Sequence, residues 1–363
     1  MSSASVHSWR PARLLVVGVL SFGLAGCFHR SGPRILSADR FDYSAALTRS
    51  WKEQTLLNLV KLRYMDPPYF LNVQQVVQQY TLERSGSITS PGWPNNPSSI
   101  PAGSINGRWA DSPTITYSPM SLEQFTTSLI RPVPPTQLLS LIQSAWPVDR
   151  VLAVVVKSIN GLHAGSRVEL IKHAGDPDFY RVLSLLRELQ STDSFGIRLE
   201  TSKSGETAVM FFRSKSSDEA TAEKVRKFRQ LLHLSIDVDE FKIVLGNVQH
   251  DDKEIAMETR PMLQVLAEMS AGVEIPASDI DQGRVYKMDV SEIGPPVLVR
   301  VHSSTSKPEF TDAFAAVRYR NCWFWVDDRD MPSKSGFGFL MAFLAFAGSE
   351  TTAQPPVLSI SKP

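Results

Sequence analysis

Val151-Leu152-Ala153-Val154-Val155-Val156-Lys157-Ser158-Ile159, followed by Asn160-Gly161, is the stretch on which the fold turns. It is a nearly continuous apolar run closed by a turn dipeptide, so it predicts a buried strand and then a turn. Downstream, Val182, Leu185, Leu186 and Leu189 recur at helical spacing and predict a helix over 176–189. Residues 195–200 and 207–212 alternate like strands around Lys203-Ser204-Gly205, a hairpin turn. Ser217 suits the cap of a helix through Val225, Phe228, Leu231 and Leu232, and 240–245 predicts another strand.

The resulting order, β-α-β-β-α-β over 150–249, is that of the split βαβ unit. The expected fold class is therefore α+β, with a ferredoxin-like middle domain between an N-terminal region, 41–149, and a C-terminal region, 250–363. In the former, Asp42 or Ser44 suits the cap of a helix carrying Leu56, Leu59, Val60 and Arg63 on one face. Asp66-Pro67-Pro68 stops it, because proline lacks a backbone donor. Residues 70–82 favour a strand, with helix as the alternative. Residues 85–113, dense in Gly, Pro, Ser and Asn, read either as a loop or as the tip of a long β-ribbon returning through Thr114-Ile115-Thr116-Tyr117. Short helices are expected at 121–130 and 136–145.

The C-terminal region opens with the polar linker His250-Asp251-Asp252-Lys253. A helix near 260–271 should end at Gly272 as its cap. Strands are expected near 284–289, 297–302 and 313–319, the last turning at Arg320-Asn321 into 322–327. Trp323 and Trp325 fall on one side of that strand, Phe324 and Val326 on the other. This predicts a central strand, or one beneath the apolar helix at 334–347. Such a helix is usually buried, contact with lipid or a partner being the alternative.

The N-terminus carries a different signal. Arg10 and Arg13 precede a short apolar run, 14–24, well under the ~20 residues of a membrane span. Leu24-Ala25-Gly26-Cys27 follows and resembles the lipobox of bacterial lipoproteins. Leu24, Ala25 and Gly26 would be read by the signal peptidase, and the Cys27 thiolate would take the acyl group. Residues 1–26 then form a signal peptide and 27–40 a lipidated tether. Acyl burial contributes ~0.8 kcal/mol per CH₂, so two or three chains anchor durably. Phe28 stands where an Asp would favour inner-membrane retention, so the outer membrane, facing the periplasm, is the expected address.

The composition, 42% hydrophobic and 21% charged over 363 residues, supports a sizeable core. Loss of residues 1–26, with two arginines and no acid, takes the formal charge from +1 to −1. That gives no broad attraction to nucleic acid. With Cys27 acylated, Cys322 has no disulfide partner in the chain and reads as a small buried hydrophobe.

Several stretches carry chemical patterns. Asp327-Asp328-Arg329-Asp330 offers carboxylates at Asp327, Asp328 and Asp330 that would suit a divalent cation. Its spacing fits no calcium loop, which favours a hairpin-to-helix turn capped by Asp330 or Ser333. Ser304-Thr305-Ser306-Lys307 has the Ser-x-x-Lys form of penicillin-binding enzymes, but Ser158-Ile159-Asn160 precedes it, in the wrong order. His163 and His173 match no metal spacing, and neither Gly-x-Ser-x-Gly nor a P-loop occurs.

Three stretches together, 58–64 before Asp66-Pro67-Pro68, 155–161, and Val317-Arg318-Tyr319 through Asp330 to Ser333-Lys334, resemble a family of uncharacterised proteobacterial lipoproteins. The resemblance implies a shared architecture and an envelope location, and carries no activity. The expected function is a non-catalytic, lipid-anchored envelope module that binds protein partners or self-assembles, with no cofactor. A ribbon at 70–118 could extend a sheet between subunits. The alternative is an envelope enzyme or metal-binding protein using Asp327–Asp330.

Overall fold

The computed structural model describes residues 33–77, 80–89, 102–111, 114–119, 126–143, 146–168, 172–202, 205–213, 219–287, 297–309 and 312–348. It divides into two units, Met1–Leu56 and Leu57–Pro363. The fold is mixed α+β. Leu24, Ala25, Gly26, Cys27 and Ser217 lie outside the described residues.

Helix α1 spans Pro33–Arg63, so it starts upstream of Asp42, and residues 33–40 of the expected tether are helical. Proline at the first position costs no hydrogen bond there. Leu56, Leu59 and Val60 are buried, the face that the spacing predicts. Beyond the helix the chain turns through Met65, a non-glycine residue at φ 59°.

Two separate two-stranded sheets follow. β1 (Leu71–Val77) pairs antiparallel with β4 (Thr114–Pro119), and β2 (Tyr80–Thr89) with β3 (Ala102–Asp111). The ribbon alternative therefore holds over these strands, and residues 90–101 lie outside the described ones. Of the two expected short helices, the first is a π-turn at Thr126–Ile130, and the second, α2, spans Pro135–Gln143.

The opening stretch is where expectation and structure part. Residues 148–155 form helix α3 (Val148–Val155), and only Val156–Ile159 is strand, β5. Val148, Val151, Leu152 and Val155 lie at helical spacing and are all buried, a pattern that an unbroken apolar run conceals. The turn at Asn160-Gly161 is as expected, with φ of 46° and 82°. After β6 (Leu162–His163) come α4 (Pro177–Ser191), β7 (Phe195–Ser202), β8 (Gly205–Phe212), α5 (Glu219–Leu231) and β9 (Glu240–Leu245).

A further strand, β10 (Glu254–Thr259), was not expected. It changes the topology: the six-stranded sheet runs β6-β5-β10-β9-β8-β7. In a ferredoxin-like sheet the first strand lies between the third and the fourth. Here β9 pairs directly with β8, and parallel β10 separates β9 from β5. β10 is buried on both faces, as a central strand with a parallel neighbour should be. One sheet face packs on α2–α5, where Leu139, Leu152, Val182 and Phe228 meet Met210 and Met257. The other is polar, with ion pairs Arg198–Glu240 and Lys157–Glu258.

Helix α6 (Met262–Ser270) and the short α7 (Ala277–Asp281) lead to a second sheet. Its strands are β11 (His302–Ser304), β12 (Ala313–Tyr319) and β13 (Cys322–Asp327), in order β11-β13-β12. Arg320 and Asn321 both take positive φ, 45° and 67°, as a tight hairpin turn requires. No strand forms over 284–287, and 288–296 lie outside the described residues; Val301 makes a lone bridge to Val273 before β11 begins. Gly272 serves close approach rather than a left-handed cap: a Cβ there would stand 1.9 Å from the Val299 carbonyl oxygen. β13 is central, with Phe324 and Val326 buried and Trp323 and Trp325 half-buried. Helix α8 (Met331–Gly348) packs against it and buries Phe337, Leu340 and Phe343. Among the described residues, no helix is long and apolar enough to cross a membrane.

Candidate functional site

The acidic turn after β13 is a helix cap and an ion-pair cluster. Asp330 accepts from the Ser333 hydroxyl at 2.6 Å and the Ser333 amide at 3.2 Å. The Ser333 hydroxyl holds the Asp330 carboxyl below the usual range, with the amide and the Arg300 charge adding to it. Lys334 Nζ reaches Asp328 at 2.7 Å, Arg329 pairs with Asp312, and Asp327 accepts the Arg329 amide at 2.7 Å. The three carboxylates thus face separate partners instead of one point. Among the described residues, no group of three or more His, Cys, Asp or Glu is placed to hold a metal ion.

The other sequence candidates make local contacts. Lys307 lies over the Trp323 ring at 5.3 Å, beside Ser304. His163 borders Asp176 at 3.7 Å, while His173 contacts the Ala164 carbonyl, so the two histidines serve different contacts. Cys322 is buried with a free thiol.

Two constellations emerge that sequence reading did not single out. The first surrounds Arg260, which is 1% exposed. Its guanidinium donates to the carbonyls of Val154, Val156 and Gly165, each at 2.8 Å, and to Ala153 at 3.2 Å. Three of these carbonyls belong to the end of α3 and the start of β5. A fixed cation there satisfies orphan acceptors and opposes the negative end of the helix dipole. Glu268 lies 3.9 Å away and accepts from the Ser166 hydroxyl and the Arg167 amide. Burial pushes the pKa of Arg260 down, and Glu268 partly restores it.

The second constellation is the root of the ribbon. Asn58, near the end of α1, donates to the Tyr69 carbonyl at 3.0 Å and accepts the Tyr69 amide at 2.9 Å. Tyr69 stands just before β1. Just past the end of α1, Tyr64 donates to Asp279 at 2.6 Å, and Arg284 completes that carboxylate at 3.0 Å. Burial and then the hydrogen bond to Asp279 push the Tyr64 phenol well above its ordinary range. Asp66 accepts from the Tyr319 hydroxyl and from Arg320 at 3.0 Å, and these contacts hold its carboxyl below the usual value. The Tyr64 and Tyr319 rings meet edge to face at 5.4 Å, and the Arg320 guanidinium lies 5.0 Å from the Tyr64 ring centre.

Both phenol protons are committed to carboxylates. The arrangement fastens: it ties the end of α1 to α7, to the β12–β13 turn and, through Asn58 and Tyr69, to the residues before β1. Around it Met65, Tyr69 and Tyr286 are exposed, and Arg63 holds the Tyr286 carbonyl at 2.8 Å. The sequence signal for this site was the run from Asn58 to Pro68 paired with Val317–Tyr319, two of the stretches that carried the lipoprotein resemblance.

A cavity of about 290 Å³ lies between the π-turn and α6, lined by Leu129, Ile130, Val168, Pro261 and Leu263, with Gln264 at its side. No titratable group is among its described lining. No protein-family model, curated protein or solved structure matches the chain.

Proposed function

We propose that the chain is a lipid-anchored protein of the cell envelope whose α+β body makes protein contacts rather than carrying out catalysis. The observation that supports this most is the order of signals at the N-terminus: Arg10 and Arg13, the short apolar run, then Leu24-Ala25-Gly26-Cys27. Acyl chains on Cys27 hold it to the membrane, with the outer membrane favoured by Phe28 and the body facing the periplasm. The protein is read as a relative of the uncharacterised proteobacterial lipoproteins it resembles. The middle region is read as a βαββαβ chain order related to ferredoxin-like domains, with β10 intercalated. A contact role is supported by a ribbon braced at its root by paired polar contacts and by exposed Met65, Tyr69 and Tyr286 beside it.

Metabolic labelling with a palmitate analogue tests the anchor. Label should enter the wild-type protein and be lost in Cys27→Ser. Equal labelling of both proteins, or of neither, overturns the reading.

A further inference from the structure

Strand β7 closes one side of the six-stranded sheet and pairs there only with β8. The pairing runs without a register shift from Phe195↔Phe212 to Ser202↔Gly205. Ser202 and Gly205 flank a two-residue turn, so the even-numbered residues of β7 direct their amides and carbonyls to β8. Those of Ile197, Leu199 and Thr201 point outward. The Ile197 carbonyl accepts from Gln143 Nε2 at 2.5 Å on that outer side. Among the described residues nothing bonds to the Leu199 amide or carbonyl, and Leu199 is 40% exposed. A regular edge of this length is a template for another strand, and proteins commonly blunt such edges with proline, lysine or a bulge. β7 contains none of the three.

The charges on β7 select the partner strand. Arg198 and Glu200 are exposed and flank Leu199 on the polar face of the sheet. Arg198 pairs there with Glu200 at 2.7 Å and with Glu240 at 3.0 Å. Rotated about a two-fold axis at Leu199, the strand meets its own copy with Arg198 opposite Glu200 on both sides of the axis. An axis at Arg198 or at Glu200 would instead set like charges opposite each other, which destabilises a strand pair. We infer that β7 pairs antiparallel with β7 of a second copy of the chain, joining the two six-stranded sheets edge to edge. This deepens the contact role proposed above by naming the partner, and rests on that reading.

In that register Leu199 sits at the axis as a hydrogen-bonded pair, and both its amide and its carbonyl bond to the copy. The exposed Leu199 side chain is then covered by its own equivalent. Arg198 and Glu200 form the adjacent non-hydrogen-bonded pairs, whose Cα atoms approach to about 4.5 Å and whose side chains lie closest. Ile197 faces Thr201. The exposed Gln143 amide swings off the Ile197 carbonyl and the Thr201 N–H of the copy takes its place. About six main-chain bonds make this a small interface, at the weak end of specific contacts. A common membrane anchor, on the reading above, confines the copies and raises their effective concentration.

Oxidative crosslinking of the full chain in its native membrane tests this. Leu199→Cys should give a disulfide-linked dimer, because a hydrogen-bonded pair holds its Cα atoms about 5.5 Å apart, within disulfide reach. Ile236→Cys, at a 78% exposed position between α5 and β9, should give at least about ten-fold less. In the Leu199→Cys chain, Arg198→Glu and Glu200→Arg should each cut the adduct about ten-fold by setting like charges opposite. Co-expressing these two variants with different tags should restore it as the mixed dimer. Thr201→Pro removes an outward amide and no bond to β8, so it too should lose the adduct, and it serves where a charge variant fails to melt like the wild type. Equal adduct at positions 199 and 236, or none at 199, overturns the inference. So does full adduct in Thr201→Pro, or a folded mixed pair that crosslinks no better than either variant alone. Adduct only to a different protein overturns it and spares the contact role. Lipid on Cys27 is scored separately by mass, so a failed dimer leaves the anchor standing.

Discussion

Asn58 grips Tyr69 twice, donating to its carbonyl and accepting its amide, and so closes the turn that leads from α1 into the ribbon. Asn58 is 1% exposed, and removing its amide deletes both hydrogen bonds to the Tyr69 backbone. Asn58→Leu should therefore destabilise the fold by about 1–2 kcal/mol, the net scale of two part-buried hydrogen bonds. Urea unfolding measures it. A midpoint unchanged from wild type would show that the turn holds itself.

Arg260 should be the least replaceable charged residue. Arg260→Met removes four donations to carbonyls and takes one of the two nearby cations, with Arg167 the other, from buried Glu268. Breaking such a site from one side costs roughly 3–5 kcal/mol. Arg260→Lys should restore little, because an ammonium lacks the planar fork that spans four acceptors. Thermal melts of the two variants, both markedly lowered, are the expected result.

The ribbon root predicts opposite responses to acid and alkali. The Asp66 carboxyl lies below its ordinary value, so its contribution is present above the unfolded carboxylate range and lost as pH falls through the folded value. Tyr64 is shifted upward, so its contribution is full below the unfolded tyrosine range and lost as pH rises towards the folded value. Unfolding free energy against pH should fall less steeply below about pH 4 in Asp66→Asn, and less steeply above about pH 10 in Tyr64→Phe, than in wild type. Parallel curves for variant and wild type would contradict this.

Gly272 and Gly336 should resist substitution for want of space. A Cβ at Gly336 would stand 2.3 Å from the Leu298 carbonyl oxygen, and at Gly272 the clash with Val299 is closer still. Backbone atoms cannot rotate away, so alanine at either position should cost at least about 1–3 kcal/mol. Denaturant midpoints of Gly272→Ala and Gly336→Ala check it.

At the acidic turn, loss of a carboxylate should change stability and leave metal content unchanged. Asp330→Ala should cost about 0.5–2 kcal/mol through loss of the cap of α8. Metal content by atomic spectrometry should be equal in the two proteins, and metal lost with the carboxylate would revive the cation reading.

Elements with local punctuation were legible in the sequence. Glu240–Leu245, the hairpin at Arg320-Asn321 and the return of the ribbon through Thr114 all follow from alternation and turn residues. The cap at Asp330 and Ser333 was legible for the same reason. What escaped depends on residues distant in sequence. Val148–Val155 is helical beside Arg260, which gathers the carbonyls at its end from a hundred residues away. β10 hid behind the polar run His250–Lys253, because a parallel neighbour joined through 246–253 alone is shorter than the usual crossover of a dozen residues. Its insertion separates β5 from β9 and replaces the expected strand order. The ribbon root joins helix, loop and hairpin turn, and no single window of sequence contains it.

The most direct test is the mass of the N-terminal peptide from the native protein. The expected peptide begins at Cys27 and carries the mass of two or three fatty acyl chains with a glyceryl group. A peptide running through Leu24 to Cys27 uncleaved, or a Cys27 thiol without lipid, would contradict it.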